Sequence, residues 1–363
     1  STLSFLIYTS LMASLEELRD SRLKKMKILH DAGMEAFPSS VPKTHSLSKI
    51  RESFDELVKN ETAVSVAGRV MSVRGQGAIL FVPLYDGTDT FQLVFKKDDM
   101  DETLFGLFVD GVDIGDFISA TGKVFETQRG EKSILVSSWV LATKSLAPLP
   151  EKWHGITDPD ERYRKRYLDI LMDKELRAMF ELKAKFWDVT RTFMKEKGFT
   201  DVETPTLEVT TGGAEANPFK THHKDFDIDV FLRISIGELW QKRLMAAGFD
   251  KTFEIGRAYR NEGTSPEHLQ EFTNMEFYWS FANYEDGMTL VEELYEKIAQ
   301  EVFGKTEFTT RGHTFDLSKR PWARVDYVDE VMRLTGINVL EATEDEMKKK
   351  LEELGVEYVG ANR

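Results

Sequence analysis

The sequence predicts an α+β protein in two parts, a small five-stranded β-barrel followed by a larger antiparallel sheet flanked by helices. Three observations carry that expectation. Between Ala63 and Leu141 apolar residues alternate with period two, and Gly, Asp and Gln-Arg-Gly turns break the pattern into short runs. On either side of this stretch apolar residues recur at helical spacing among charges. From Phe253 to Trp279 two alternating runs flank a polar loop containing Gly263, Ser265 and Pro266, which reads as a long hairpin.

Composition sets the outer bounds. Of 363 residues, 41% are hydrophobic, 30% charged and 11% aromatic, which excludes collagen-like, mucin-like and wholly disordered chains. The 62 acidic and 48 basic residues leave a net charge of −14, which does not forbid a local positive groove for nucleic acid. No cysteine occurs, so disulfides, thiolate metal sites and cysteine nucleophiles are excluded, and a reducing, cytoplasmic location is expected. The uncharged opening, residues 1–11, is too short to span a bilayer and lacks the basic flank of a signal peptide. It reads as an extension, vector-derived or from a shifted reading frame, and no membrane association is expected.

Residues 12–60 form an N-terminal helical segment, with Leu15, Leu18, Met26 and Leu29 along one helix, Gly33 as its stop, and a second helix through Ile50, Phe54 and Leu57. Residues 61–145 supply the five strands, AVSVAGRVMSV, AILFVPLY, TFQLVF, DFISATGKVF and SILVSSWVL. A short apolar segment, Glu102 to Phe108, falls between the third and fourth, where an OB-fold barrel carries its helix. Such barrels bind single-stranded nucleic acid by stacking bases on exposed aromatics such as Phe81; a generic small barrel is the alternative.

Residues 146–166 read as a linker, with prolines, Gly155 and then the cations Arg162, Arg164, Lys165 and Arg166, which suit either a solvated face or a bridging polyanion. Residues 167–363 open with a long helix, Lys174 to Lys197, ended by Gly198, and continue into a strand-like FTDVETPTLEV. From Phe226 to Ile234 the alternation is clean. It sets Phe226, Ile228, Val230, Leu232 and Ile234 on one face and Asp225, Asp227, Asp229 and Arg233 on the other.

In the hairpin, Gly256, Ala258, Arg260 and Glu262 share one face of the first strand, and Phe272, Asn274, Glu276 and Tyr278 share one face of the second. Such a floor can hold a phosphate on a guanidinium, stack a ring on Phe272 and offer carboxylates to an amine. A solvated face laced with Arg–Glu pairs is the equal alternative on pattern alone. His222 and His223 are adjacent on a strand and point oppositely, so they read as structural and no metal site is expected.

A resemblance weights the balance. RNEG (residues 260–263) and EFTNMEFYW (residues 271–279) resemble motif 2 of the class II aminoacyl-tRNA synthetases, and most closely that of the lysine branch. GFTDVETPTL, with Pro205, resembles motif 1, and TGGAEANPFKTHH, LRISIGELWQKRLMAAGF and RYRKRYLDI resemble other parts of the same catalytic domain. VAGRVMSVR through GEKSILV resembles the anticodon-binding OB barrel. The resemblance covers nearly everything after Met12.

What the resemblance implies is specific. The reaction would be ATP-dependent attachment of lysine to tRNA(Lys) through lysyl-adenylate, with Arg260 on the α-phosphate and Glu262, His268 and Phe272 completing the ATP site. Gly213, Glu238, Glu276 and Tyr278 match lysine-pocket positions, although Ser235 to Glu238 could instead form a capping box, and one extra residue stands before Glu238. Arg74, Phe81, Gln92 and Glu131 match anticodon contacts. Motif 1 implies a homodimer. Where the family reads Arg-His-Asn-Pro, this chain has Glu267, His268, Leu269 and Gln270, so a cation beside the phosphates is absent from the loop and His268 has a solvated-turn alternative.

The third class II motif, a Gly-rich strand ending in Asp-Arg, is not found between Ser280 and Arg363. The catalytic domain is therefore expected to be C-terminally incomplete, with the ligands of the Mg2+ that accompanies ATP lying beyond residue 363 and the chain as given inactive. A tRNA-anticodon-binding fragment or paralogue without catalysis is the alternative function.

Overall fold

The computed structural model describes residues 15–75, 77–150, 156–265 and 267–356. The 1–11 extension, Gly155 of the linker and Pro266 of the hairpin loop lie outside the described residues. The chain divides into two units, Ser1–Lys174 and Glu175–Arg363.

The first unit is built on the alternation of its strands. Helices α1 (Leu15–Asp31), α2 (Leu47–Glu52) and α3 (Phe54–Lys59) precede strands β1 (Ala63–Val70), β2 (Ile79–Tyr85) and β3 (Thr90–Lys96). Helix α4 (Glu102–Gly111) then connects to β4 (Phe117–Glu126) and β5 (Lys132–Thr143). The strands close a barrel in the order β1-β2-β3-β5-β4, with β3 and β5 parallel. This is the OB arrangement, with its helix where the sequence placed it. Inward residues Val82, Leu84, Leu93, Phe95, Ile118, Ile134 and Val136 are buried, while the alternate residues Phe81, Pro83 and Gln92 remain partly accessible on the outer face.

Helix α1 belongs to this unit. Arg22 donates to the carbonyls of Ser145 at 2.7 Å and Ile114 at 3.0 Å, Lys25 pairs with Asp113 at 2.6 Å, and Leu29 joins the barrel core. Leu15 and Leu18, expected on its buried stripe, are exposed. The expected second helix is two short ones separated by Ser53. Residues 146–166, expected as a linker, contain α5 (Pro159–Arg164), which α6 (Arg166–Met172) follows. There each cation of the basic cluster meets a nearby acid: Arg162 and Arg166 on Asp169, Arg164 on Asp160 and Lys165 on Glu161.

The second unit begins with α7 (Lys174–Glu196), then β6 (Thr200–Asp201), β7 (Leu207–Glu208), β8 (Lys220–His223), β9 (Ile228–Leu232), α8 (Glu238–Ala246) and the hairpin β10 (Lys251–Tyr259) and β11 (Glu271–Trp279). Beyond it lie α9 (Tyr284–Phe303), the small hairpin β12 (Glu307–Thr310) and β13 (His313–Asp316), α10 (Tyr327–Thr335) and α11 (Glu344–Glu353). One face of the β10–β11 hairpin contributes Phe253, Ile255, Met275, Phe277 and Trp279 to a core with Val189, Phe193 and Met194 of α7 and Leu290, Leu294, Ile298 and Val302 of α9. Period two therefore sends the intervening residues to the opposite face.

Two expectations need correction here. FTDVETPTLEV is not one strand: only its two ends pair, β6 with β10 and β7 with β9, because Pro205 has no N–H for a continuous ladder. The strand expected from Phe226 starts at Ile228; Asp227 takes a left-handed turn conformation (φ 50°), and Phe226 lies exposed in the turn with its ring 4.7 Å from that of His223. His222, by contrast, faces Asp227 and Asp229 at 3.2 and 3.3 Å.

Candidate active site and anticodon groove

The β10–β11 register sets the floor of the candidate active site. Thr252 faces Tyr278, Glu254 faces Glu276, Gly256 faces Asn274 and Ala258 faces Phe272. The expected sharing of one face by these residues therefore holds. Arg260, just past β10, keeps the hairpin closed by donating its backbone N–H to the Gln270 carbonyl at 2.8 Å. Its guanidinium lies 5.4 Å from the centre of the Phe272 ring, and its Nε donates to the Ile234 carbonyl at 3.3 Å. Among the described residues no carboxylate pairs with Arg260, which leaves its charge for an anionic ligand.

A second set gathers around the start of α8. Glu276 accepts from the Ile236 N–H at 2.9 Å and from Asn274 Nδ2 at 3.4 Å, both on Oε1, leaving Oε2 without a protein partner among the described residues. Glu238 opens α8 and pairs with Lys242 at 2.5 Å. The capping-box alternative is not what forms: Gly237 is the N-cap and Ser235 Oγ donates instead to the Gly212 carbonyl at 2.9 Å. Gly237 adopts the left-handed conformation (φ 63°), and a side chain on it would overlap Thr204 Oγ1. Gly213 backs directly onto Glu238. The Tyr278 hydroxyl is pushed up to about 12, by burial first and then by the charges of Glu238 and Glu276, so the structure brings Gly213, Glu238, Glu276 and Tyr278 together.

The loop is held by its own polar groups. Glu262 accepts from the Asn217 N–H at 3.2 Å, and Gln270 Nε2 donates to the Glu262 carbonyl at 3.0 Å. His268 is in contact with Ser265, Nδ1 to Oγ at 2.7 Å, and the two exchange backbone hydrogen bonds. Glu267 pairs with Arg311 of the β12–β13 turn at 2.8 Å, so a guanidinium from elsewhere in the unit reaches the loop that lacks one in sequence.

Sequence reasoning missed the buried polar network on the floor's own face. Arg233, read from the alternation as lying on the face opposite Leu232 and Ile234, follows β9, is buried and pairs with buried Glu254 at 2.6 Å, while it also donates to the Arg257 carbonyl at 2.8 Å. Thr204 Oγ1 donates to the other oxygen of Glu254 at 2.6 Å. Fully buried Gln241 ties α8 to the sheet, donating to the Ile236 carbonyl and accepting from Thr252 Oγ1, each at 2.9 Å. A charged residue inside an alternating strand was the one available signal.

On the barrel, one groove is lined by Arg74, Phe81, Gln92 and Glu131, all four expected contacts, joined by Lys96 and Arg129, which the sequence did not single out. Arg74 and Phe81 exchange backbone hydrogen bonds at 2.9 and 2.7 Å. Cations and a partly accessible aromatic in one groove suit a single strand of nucleic acid.

Among the described residues no group of three or more His, Asp or Glu could hold a metal ion, and no helix is long and apolar enough to cross a membrane. Residues 158–359, which hold the hairpin and the groups around it, match the family tRNA synthetases class II (D, K and N), and residues 64–142, which hold the closed barrel, match the OB-fold nucleic acid binding domain. The chain belongs to the class II tRNA synthetases of the D, K and N group.

Within that group it is similar to lysine--tRNA ligases. It is 41% identical over 331 residues to that of Roseiflexus sp. (strain RS-1), covering 91% of this chain and 67% of the relative. It is 40% identical over 353 residues to that of Thermotoga maritima (96% and 70%) and 42% identical over 333 residues to that of Clostridium perfringens (92% and 66%). The chain spans about two thirds of the length of these relatives.

Proposed function

We propose that the protein is a lysine--tRNA ligase. The observation that carries the reading is the meeting of Glu238, Glu276 and a protonated Tyr278 on the same floor as Arg260 and Phe272. A lysine ammonium ion is costly to bury without an opposite charge, and two carboxylates supply it. Aspartate would meet repulsion here and asparagine would leave the acids unpaired.

In the first step a lysine carboxylate oxygen attacks the α-phosphorus of ATP, forming the mixed anhydride and releasing pyrophosphate. Arg260 stabilises the charge that builds on the α-phosphate oxygens, while Phe272 stacks on the adenine. Glu262 and His268 border the nucleotide from the loop. In the second step a terminal ribose hydroxyl of tRNA(Lys) attacks the lysyl carbonyl and AMP leaves. The Mg2+ that accompanies ATP enters as part of that substrate. The barrel groove takes the U-rich anticodon, with a base on Phe81 and polar contacts from Arg74, Gln92 and Glu131. The protein works in the cytoplasm as a homodimer formed through the segment around Pro205 and the first half of α7, where Met179, Phe180 and Leu182 are exposed apolar residues.

The test is calorimetric. The protein should bind a lysyl-adenylate mimic, the sulfamoyl adenosine of lysine, and reject the aspartyl and asparaginyl counterparts. Failure to prefer the lysyl compound, with UUU stem-loop binding retained, would reduce the function to anticodon binding.

A further inference from the structure

We infer that Ser133 is a positioning residue for anticodon specificity, fixing the sense of the Gln92 side-chain amide so that the groove accepts uracil and refuses cytosine. The inference rests on the reading of the barrel groove as the anticodon site and deepens it.

A glutamine amide is nearly symmetric in shape but not in chemistry. Turned by 180°, it exchanges its oxygen acceptor for its nitrogen donor. Uracil offers an N3–H donor beside the O4 acceptor, whereas cytosine offers an N3 acceptor beside the N4 amino donor. A glutamine free to turn therefore matches either base.

In this barrel Gln92 is not free. Strands β3 and β5 run parallel, and their register sets Gln92 directly beside Ser133. Ser133 is fully buried, and its hydroxyl carries one hydrogen, which it donates to the Glu131 carbonyl at 3.1 Å. The hydroxyl oxygen can then only accept from its other neighbour, and Gln92 Nε2 donates to it at 2.9 Å. Turning the amide would either set Oε1 against the lone pairs of Ser133 Oγ or draw the hydroxyl hydrogen away from the Glu131 carbonyl, and each costs one hydrogen bond. The relay Gln92 to Ser133 to the Glu131 carbonyl thus leaves Oε1 and the second Nε2 hydrogen as the groups Gln92 offers to the groove. A uracil meets Oε1 with its N3–H; a cytosine in the same place sets a lone pair against it. Because Glu131 also lines the groove, the relay joins two expected anticodon contacts through one buried hydroxyl.

The experiment measures dissociation constants of the full chain for two RNA hairpins that differ only in a UUU or UCU anticodon. For Ser133→Ala the UUU-over-UCU preference should fall by about fivefold, the scale of one lost hydrogen bond, mainly through tighter UCU binding. Ser133→Thr, which keeps the hydroxyl, should retain the preference. Ser133→Val repeats the measurement should the alanine variant fail to fold. A preference changed less than threefold in Ser133→Ala or Ser133→Val, while Phe81→Ala still weakens hairpin binding by about fivefold or more, overturns the role of Ser133 and leaves the anticodon site standing. Unimpaired binding by Phe81→Ala overturns both.

Discussion

Gly213 and Glu238 compete for one space: a methyl group at position 213 would overlap both Glu238 Oε2 and Ser235 Oγ. The backbone at Gly213 is also in the left-handed region (φ 93°), which side chains rarely adopt. This glycine is therefore a wall of the proposed lysine pocket, where its lack of a side chain leaves room for the carboxylate of Glu238.

Gly213→Ala should weaken binding of the lysyl-adenylate mimic by tenfold or more, through displacement of Glu238. The added strain should cost about 1 kcal/mol of stability. Calorimetry and thermal denaturation of the same sample separate the two effects; unchanged affinity would detach Gly213 from the pocket.

Arg260 sits beside Phe272 with no carboxylate partner among the described residues. A charge-assisted hydrogen bond to an anion is worth about 1.5–3 kcal/mol, so Arg260→Ala should weaken the mimic by roughly 10- to 150-fold. Arg260→Lys should recover only part of this, since an ammonium lacks the planar fork that spans two phosphate oxygens. Full affinity in the alanine variant would remove Arg260 from the nucleotide site.

The buried pair Arg233–Glu254 stands on the floor's own face. Glu254 also accepts from Thr204, and Gly256 on the next floor position lies against the Arg233 guanidinium. Removing one member strands a buried charge, so Arg233→Met should cost about 3–5 kcal/mol in chemical denaturation, and Glu254→Gln a smaller amount. The double variant Arg233→Met/Glu254→Leu should be more stable than Arg233→Met alone. Additive losses would mean that the two side chains are not coupled.

What the sequence made legible follows from locality. The barrel strands and the two faces of the β10–β11 hairpin were readable because period two repeats over several residues on both sides of a turn. Helix α7 was readable because an amphipathic stripe persists for more than five turns and ends at Gly198. The burial of Arg233 was not legible because its partner, Glu254, stands on another strand 21 residues later, and alternation reports a face without reporting what covers it. Phe226 was misplaced for the opposite reason: its alternation continues unbroken through a turn made by Asp227. The Gln92–Ser133 contact needed the parallel β3–β5 register, which no local pattern encodes.

On the barrel, Phe81 is offered to the groove while its backbone is pinned to Arg74. Stacking of one base on an aromatic is worth about 1–3 kcal/mol. Phe81→Ala should therefore lower affinity for a UUU hairpin by roughly 5- to 150-fold and leave binding of the lysyl-adenylate mimic unchanged. A parallel loss at both sites would indicate misfolding rather than lost stacking.

Tyr278 gives a pH test whose sign is fixed by its surroundings. Burial, and then the charges of Glu238 and Glu276, push its hydroxyl up to about 12, whereas an unfolded tyrosine loses its proton near 10. Below pH 10 both states hold the proton, and the residue contributes no pH dependence. Between about 10 and 12 the unfolded state releases it while the folded state keeps it, so stability falls as pH rises through that window. Denaturant unfolding at pH 9, 10 and 11 should therefore show a steeper loss for the native protein than for Tyr278→Phe. Because the group is partly exposed, the difference should be smaller than full burial would give. Parallel curves would mean that the hydroxyl ionises as in water, and that Glu238 and Glu276 do not face it.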